Sequence, residues 1–244
     1  MRVLILGATS AIAAEVAHHH VARGDRAHLI GRNPDKLAQV AARCGRDTTS
    51  RVADFDRVES NDAVIAEAID TLGSLDAALI AHGDLGDQFA SERTFEAAEA
   101  VLRTNFTSAV SLIIPLANYF EGRRGGRLGV ITSVAGERGR PRNYTYGAAK
   151  GALGIYLQGV RSRLHPAGVH VTTLKLGPVD TPMTRDHRKH PLFGKPEAVA
   201  KDIVAAMDRG AAEVYVPSFW QAIMPLVRNT PERLFQALPF LSGR

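Results

Sequence analysis

Short apolar segments alternate with helical patterns along almost the whole chain, and this alternation restricts the possible folds most. Strand-like segments begin near Val3, Ala27, Ser50, Ala77, Arg127, Val169 and Val214. Helical patterns lie between them, over 11–23, 34–43, 58–72, 92–120, 144–164 and 196–207. Strands separated by helices in this way form parallel βαβ units. The sequence therefore predicts an α/β fold with a doubly wound parallel sheet of about seven strands.

The domain organisation is simple, because no linker, repeat or low-complexity segment divides the chain. We expect 1–217 to form a single domain and 218–244 to be a helical C-terminal extension of it. In this tail, one apolar helical face contains Phe219, Trp220, Ile223, Met224 and Val227, and a second short helix carries Leu234, Phe235, Leu238 and Leu241. Such faces fit a membrane interface or a lipid-binding groove. They fit packing onto the core or onto a partner subunit equally well.

Composition limits the cellular setting more than the function. The formal net charge of +5 permits anionic partners without choosing among them. Cys44 is the only cysteine, which excludes an intrachain disulfide and suits a reducing cytoplasm. Neither a signal peptide nor a run of roughly 20 apolar residues is visible, so we expect a cytoplasmic protein, with the inner membrane face as an alternative. No metal site is expected, because His18, His19 and His20 point in different directions around a helix.

The turn after the first strand is the first candidate for binding. Gly7-Ala8-Thr9-Ser10-Ala11-Ile12-Ala13 ends that strand and opens the first helix. Small residues here let the backbone approach a pyrophosphate at the positive helix N-terminus, as in Rossmann-type folds. We therefore predict that Gly7 and 9–12 bind a dinucleotide. By itself the pattern also fits a tight strand-to-helix turn.

The end of the second strand predicts which dinucleotide binds. A carboxylate there accepts a hydrogen bond from the ribose 2′-hydroxyl, whereas an arginine accommodates a 2′-phosphate. This chain has Arg32, and no carboxylate follows until Asp35. NADP(H) is therefore favoured over NAD(H), although a solvated arginine is the alternative. Asp54, after the third strand, is placed either to meet the adenine edge or to form a turn.

Tyr146 and Lys150 form the candidate catalytic pair. Residues four apart lie on the same helix face, one turn from each other. The lysine ammonium favours the phenolate, so it is expected to lower the pKa of Tyr146 from its usual value of about 10. Tyr146 is then a candidate proton donor or acceptor near neutral pH.

Together these segments resemble the short-chain dehydrogenase/reductase family over nearly the whole chain. The resemblance includes the N-terminal glycine turn, Asn105 in Thr-Asn-Phe, Ser133 in Ile-Thr-Ser, and the pair Tyr146 and Lys150. It implies that Ser133 binds the substrate oxygen and that Tyr146 exchanges its proton. It also implies that Lys150 holds the nicotinamide ribose and that Asn105 anchors a water linking Lys150 to solvent.

Three departures from the family pattern are visible. Ala11 and Ala13 replace the usual later glycines of the first turn. Ala81-His82-Gly83 stands where the family commonly has Asn-Ala-Gly, so an expected side-chain bond near the cofactor is missing, while Gly83 keeps its place beside the cofactor. Leu176 replaces a proline in the segment that corresponds to Pro-Gly-x-Val-x-Thr. The resemblance still places Val179 and Thr181 beside the nicotinamide amide.

Basic residues flank the expected substrate pocket. Arg138, Arg140 and Arg142 lie between Ser133 and Tyr146, and a second run after Thr181 contains Arg185, His187, Arg188, Lys189 and His190. A basic rim favours a substrate with a phosphate or carboxylate. A solvated basic surface is the alternative. Tyr144 stands off the Lys150 face and is expected to be a pocket wall.

The expected function is reversible NADP(H)-dependent hydride transfer between a carbonyl and a secondary alcohol, with a small-molecule or lipid-linked substrate. The Ser133–Arg138 segment and the tail are also similar, more loosely, to reductases of decaprenylphosphoryl-2-keto-pentose, which implies a phosphate- or lipid-linked keto-sugar. The alternative is a non-catalytic NADP(H)-sensing Rossmann protein. No recognition motif accompanies the basic charge, so nucleic acid is not an expected partner. The family resemblance implies a homo-oligomer, a dimer or a tetramer.

Overall fold

The structure, a computed structural model, describes residues 1–46, 48–185, 189 and 191–238. The strands are β1 Arg2–Leu6, β2 Arg26–Gly31, β3 Thr48–Val52, β4 Ala77–Ile80, β5 Gly126–Ser133, β6 Val169–Leu176 and β7 Glu213–Val216. The helices are α1 Ala11–Ala22, α2 Pro34–Cys44, α3 Asn61–Leu72, α4 Gln88–Ser91, α5 Phe95–Leu102, α6 Ser108–Arg123, α7 Tyr144–Leu164, α8 Pro196–Asp208, α9 Trp220–Asn229 and α10 Glu232–Ala237. Local signals explain several of these bounds. For example, Asn33 accepts a hydrogen bond from the Lys36 backbone, and Pro34 occupies the first turn of α2.

All seven strands form one parallel sheet in the order β3-β2-β1-β4-β5-β6-β7. The predicted doubly wound, Rossmann-type α/β fold is confirmed. The chain moves outward from β1 to β3 and then returns to the other side of β1 with β4. Open α/β sheets bind ligands at the carboxyl ends of the strands beside such a switch in strand order. The residues that follow β1 and β4 are therefore the first place to look for a site.

Helices cover both faces of the sheet. Apolar side chains of α1, α2 and α8 pack on one face, and those of α3, α6 and α7 pack on the other. Strands buried on both faces are almost wholly apolar, as β1 and β4 are. Because helices cover both faces of the sheet, most of the strand segments are short apolar runs rather than alternating polar and apolar patterns.

The region 92–120, predicted as one helix, becomes helical only at Phe95. From there α5, a π-helical turn at Arg103–Thr107 and α6 follow one another without a gap to Arg123. Thr94 separates α4 from α5, since its side chain accepts a hydrogen bond from the Ala97 backbone and so caps α5. By length and composition, the helical stretch Phe95–Arg123 could also cross a bilayer, contrary to our expectation that no such run exists. Its apolar face packs on the sheet through Leu112, Ile113 and Phe120, and packing there accounts for its composition.

The C-terminal tail forms the two predicted helices and packs on the domain. Trp220, Met224, Val227 and Phe235 are buried together with Val134, which follows β5. This contact matches the alternative of packing onto the core. Phe219, Leu226 and Leu234 remain exposed. Position 241 lies outside the described residues, and the boundary proposed at 217 stays a prediction.

Candidate active site

A cavity of about 1130 Å³ opens at the carboxyl ends of the strands. One part of its wall comes from Thr9, Ser10, Ala11 and Ile12, after β1. Another part comes from Ser133, Tyr146 and Lys150, on β5 and α7. The phosphate turn and the catalytic group, which lie more than 120 residues apart in sequence, therefore face one continuous space.

Gly7 is required in the phosphate turn for two independent reasons. Its φ of +85° lies in the left-handed region that side chains disfavour. A Cβ atom at this position would also lie 2.6 Å from the backbone nitrogen of His82. The residues after β1 and β4 are thus in direct contact at the switch point, and only glycine permits the approach.

The N-terminus of α1 is free to bind an anion. Ser10 is its N-cap residue in an extended conformation, but the Ser10 side chain makes no capping hydrogen bond. The first backbone N–H groups of a helix have no intrahelical acceptor, and the helix dipole adds positive charge there. Ala13, which replaces a family glycine, is fully buried without disturbing α1. The predicted pyrophosphate site is therefore sterically available with alanines at 11 and 13.

Arg32 lies directly after β2 and is exposed next to the phosphate turn. The turn approaches so closely that a Cβ on Gly31 would be 2.9 Å from Cγ2 of Thr9. Arg32 itself does not line the cavity, whereas Lys36, in the first turn of α2, does. Lys36 was not predicted from the sequence, although its position four residues after Arg32 was the available signal. Two cations therefore flank the expected place of a 2′-phosphate.

Asp54 does not line the cavity. Its Oδ1 accepts a hydrogen bond from the Asp56 backbone at 3.2 Å. This contact matches the alternative of a turn residue, and contact with adenine stays a prediction.

Ser133 and Tyr146 lie together on the cavity wall, and the Ser133 hydroxyl is close enough to the Tyr146 phenol to affect its pKa. Ser133 stands at the end of β5, where its Oγ accepts from the Ala135 backbone at 3.1 Å and donates to the Leu176 carbonyl at 3.3 Å. Tyr146 lies in the first turn of α7, and Gln88 fixes that turn by accepting a hydrogen bond from the Thr145 backbone. The two hydroxyl groups can therefore contact the same substrate oxygen.

Lys150 lies one turn after Tyr146 and is buried. Its Nζ donates to the Ile131 carbonyl at 3.1 Å and lies 5.9 Å from the centroid of the Tyr146 ring. Burial lowers the pKa of Lys150 to about 8. A group so placed carries positive charge at neutral pH but loses it in mildly alkaline solution.

The expectation that the pKa of Tyr146 is lowered is wrong for this structure. Burial raises the pKa of Tyr146 to about 12, and the interaction with the Ser133 hydroxyl only partly opposes that rise. The loss of hydration is larger than any effect of the Lys150 ammonium, which donates to the Ile131 carbonyl. Tyr146 is therefore protonated at neutral pH and suited to donate a proton.

Asn105 lies within the π-helical turn between α5 and α6, and its side chain is buried. Its Nδ2 donates to the carbonyls of Val101 and Asp84, and its Oδ1 accepts from the Asp84 backbone. A Cβ on Gly83 would lie 2.7 Å from that Oδ1 and 3.2 Å from Nζ of Lys150. Gly83 thus lets Asn105 and Lys150 approach each other, while the predicted water anchored by Asn105 stays a prediction.

His82 is a feature whose role our sequence analysis missed, although the departure at Ala81-His82-Gly83 was the signal. Its Nε2 lies 2.7 Å from Oγ of Ser108, and its ring centroid lies 4.9 Å from that of Phe55. Its Nδ1 is buried and has no hydrogen-bond partner among the described residues. Burial, with a smaller contribution from Lys150, lowers the pKa of His82 to about 3. The imidazole is therefore neutral in the folded protein.

The segment after β6 forms another wall of the cavity. Val179 and Thr181 both line it. Hydrogen bonds from the Asp180 backbone to Gly194 and from the Gly194 backbone to Pro178 hold the segment in place. Leu176, in place of the family proline, is buried at the end of β6. The position of Val179 and Thr181 is compatible with the predicted contact to a nicotinamide amide.

The basic residues separate into different roles. Arg140, Arg142 and Lys189 line the cavity, but Arg138 does not and instead binds the tail. Lys189 is ion-paired with Asp180 at 2.6 Å. Arg185 is exposed, whereas His187, Arg188 and His190 lie outside the described residues. Tyr144 is exposed and does not line the cavity, so the expected pocket wall at that position is wrong.

The family profile described as short chain dehydrogenase matches residues 1–192. The chain belongs to the short-chain dehydrogenase family. Relatives of this dehydrogenase include an uncharacterized oxidoreductase of Mycobacterium tuberculosis, 32% identical over 241 residues that cover 97% of this chain and 96% of the relative. An uncharacterized oxidoreductase of Streptomyces coelicolor is 33% identical over 241 residues, covering 96% and 94% of the two chains.

Solved structures share the fold of this dehydrogenase. A short-chain dehydrogenase from Burkholderia cenocepacia in complex with NADP has a TM-score of 0.83 at 22% identity, with 97% of this chain and 96% of the other covered. Actinorhodin polyketide ketoreductase with NADPH has a TM-score of 0.79 at 22% identity, with 88% and 95% covered. Family membership shows that this short-chain dehydrogenase is an oxidoreductase of the class that uses NAD(P).

Proposed function

We propose that this dehydrogenase reduces a carbonyl to a secondary alcohol with NADPH, using Tyr146 as the proton donor. The main support is the pair of hydroxyl groups of Ser133 and Tyr146, which faces the same cavity as the uncapped N-terminus of α1. Bound NADPH supplies the hydride. Side chains of the protein bind and orient the carbonyl and supply the proton.

In this mechanism Tyr146 and Ser133 hydrogen-bond the substrate oxygen as negative charge develops on it. Ser133 can turn to the substrate by giving up its long 3.3 Å bond to the Leu176 carbonyl. Tyr146 then transfers its proton to the oxygen, and the nearby Lys150 ammonium stabilises the phenolate that remains. Because the phenol is protonated at neutral pH, it can act as the acid that carbonyl reduction requires.

The preference for NADP(H) is also a proposal. It is supported by Arg32 and Lys36 beside the phosphate turn and by the NADP and NADPH bound in the two solved structures. A guanidinium donates several hydrogen bonds to a phosphate, whereas a ribose hydroxyl calls for an acceptor. No carboxylate stands directly after β2 in this chain.

For the substrate, we propose a phosphate- or lipid-linked keto-sugar. The cations of the cavity wall and the looser resemblance to reductases of decaprenylphosphoryl-2-keto-pentose support this class. Homo-oligomer formation and peripheral membrane contact through 218–244 are proposals of the same kind. Exposed Phe219, Leu226 and Leu234 could supply that membrane contact.

The deciding experiment compares Tyr146→Phe with Tyr144→Phe. Tyr146→Phe removes the proton donor and should lower kcat for carbonyl reduction by about 100-fold or more while NADPH still binds. Tyr144→Phe changes the same chemical group two residues away, on an exposed position, and should keep normal turnover. NADPH oxidation with a panel of ketones and lipid-linked keto-sugars provides the rate, and NADPH fluorescence provides the binding.

Equal turnover in the two variants would overturn the role of Tyr146. NADPH binding without carbonyl-dependent oxidation in the wild-type protein would instead favour the NADP(H)-sensing alternative. For the membrane proposal, Leu226→Ser with Leu234→Ser is a better variant than removal of the tail, because removal would also delete the buried Trp220 and Phe235.

A further inference from the structure

The cations on the cavity wall differ in what they already bind. Lys150 donates to the Ile131 carbonyl, and Lys189 is paired with Asp180. Lys36 is exposed, on the side of the phosphate turn. Arg140 is half-buried in the wall, between Ser133 and Tyr146 in sequence.

Arg140 is held by its backbone rather than by its side chain. Its carbonyl accepts a hydrogen bond from the Asn143 backbone at 3.1 Å, in the turn that leads into α7. Its Nε is buried and has no hydrogen-bond partner in the part of the chain that the structure describes. Burial lowers the pKa of Arg140, and no carboxylate in the described part of the chain acts in the opposite direction.

The neighbouring Arg138 shows how this loop can pair an arginine completely. The Arg138 guanidinium donates to the carbonyls of Val227 and Thr230 and forms an ion pair with Glu232. Arg140, two residues later, has no such partner among the described residues although it is also partly withdrawn from water. A partly desolvated guanidinium without a partner is destabilising, and an anion in the cavity would remove that penalty.

We infer that Arg140 binds an anionic group of the substrate, a carboxylate or a phosphate, while the carbonyl of the same molecule lies against Ser133 and Tyr146. This inference rests on the proposed reductase function. The planar guanidinium can donate two parallel hydrogen bonds to either anion, which fixes orientation as well as charge. Arg140 would then determine which carbonyl compounds are accepted, without taking part in proton transfer.

The test uses matched pairs of ketones with the full-length protein and saturating NADPH. One pair is 4-oxopentanoate and its methyl ester, and the other is dihydroxyacetone phosphate and dihydroxyacetone. In the wild type, kcat/KM should favour the anionic member of at least one pair.

Arg140→Gln should reduce that preference by about 10- to 100-fold, which is the usual effect of a hydrogen bond to a charged group. Arg140→Lys should retain part of the preference, and the exposed Arg209→Gln should retain all of it. The pair that responds distinguishes carboxylate from phosphate.

Binding gives an independent measurement if no ketone of the panel is reduced. The same four compounds are added to the NADPH-bound protein, and the change in Tm is recorded for the wild type, Arg140→Gln and Arg209→Gln. A rise in Tm that requires the anionic group and Arg140 would support the inference even if the reductase proposal failed. Reduction of ketones with the same anion preference in Arg140→Gln, or no anion-dependent rise in Tm, would overturn it and leave the role of Tyr146 untouched.

Discussion

Tyr146 and Lys150 illustrate how burial changes the chemistry of a side-chain pair. A phenol with a pKa of about 12 keeps its proton throughout the neutral range, and an ammonium with a pKa of about 8 is mostly charged there. The pair therefore holds one transferable proton and one stabilising charge at pH 7. Above pH 8 the charge is lost first.

The pH profile of reduction should show this order. We expect kcat for reduction with NADPH to be level between about pH 6 and 7.5 and to fall above about pH 8 as Lys150 loses its proton. Lys150→Arg should move the fall to higher pH, because an arginine stays charged. Stopped-flow measurement of NADPH oxidation provides the rate. A wild-type profile that stays level to pH 10 would contradict the assignment.

His82 should make the folded protein sensitive to acid. Its pKa of about 3 in the folded state lies below the value of about 6.5 for an unfolded chain. Between these values only the unfolded state binds the proton, so this stability is fully present above pH 6.5 and is lost as the pH falls toward 3. Burial also lowers the pKa values of His20 and His28, which act in the same direction.

The test is urea unfolding at pH 7.5 and pH 5. The wild-type loss of unfolding free energy should exceed that of His82→Asn by about 2 kcal/mol. His165→Asn, at an exposed position, should lose as much as the wild type. An equal loss in the His82 variant would show that another group causes the acid sensitivity.

At the scale of elements, Arg138 joins the loop after β5 to the tail. Its guanidinium binds backbone carbonyls at the end of α9 and lies 3.9 Å from the centroid of the Phe235 ring on α10. These carbonyls have no partners within their own helix, so the arginine takes the place of a C-cap. One side chain thereby holds two helices against the loop that follows Ser133.

Arg138→Ala should lower the free energy of unfolding by about 2–4 kcal/mol, since it leaves several carbonyls and an aromatic face without their partner. Arg138→Lys should recover only part of this loss, because an ammonium lacks the planar fork. Glu232→Ala should cost less than about 1 kcal/mol, as expected for an exposed ion pair. Urea unfolding followed by Trp220 fluorescence measures all three. Similar values for Arg138→Ala and Glu232→Ala would contradict the central role of Arg138.

Elements were predictable from the sequence to different degrees. The bounds of α7 agree with the predicted 144–164, because the helical pattern there is long and Pro166 follows it. The start of α5 at Phe95 and the π-helical turn at Arg103–Thr107 were not predictable, since they depend on the cap at Thr94 and on hydrogen bonds that Asn105 makes to a distant loop. For the tail, periodicity predicted the helices, but only the structure shows that Val134 covers their apolar face.

At the scale of the whole molecule, the sheet order brings the two halves of the site together. β1 and β4 are neighbours, so the residues after them meet although many residues separate them in sequence. The alternation of strands and helices predicted the doubly wound sheet, and the family resemblance placed the two halves of the site around one cofactor. It could not predict the pKa values, because those depend on how deeply each side chain is buried after the layers have packed.

Cofactor binding should stabilise the whole fold through the same convergence. A ligand at 100 times its Kd adds about 2.7 kcal/mol to the free energy of unfolding. NADPH should therefore raise Tm at lower concentration than NADH does. Arg32→Ser should weaken the effect of NADPH by about 10-fold or more and leave that of NADH unchanged. Arg26→Ser, at the opposite end of β2, is the matched control. An equal response of Arg32→Ser and the wild type to NADPH would exclude a phosphate contact.

The contact between Gly177 and Trp220 has a consequence for how this protein could acquire new specificities. A Cβ on Gly177 would overlap the Trp220 indole, so the first turn of α9 packs directly against a residue of the cavity wall. The end of α9 also contacts the loop after β5, through the hydrogen bond from Arg138 to the Val227 carbonyl. Substitutions in the last two helices can therefore reshape the space offered to a substrate without touching the residues that move protons. We expect variation there to adjust which molecules enter, while the chemistry performed on them stays the same.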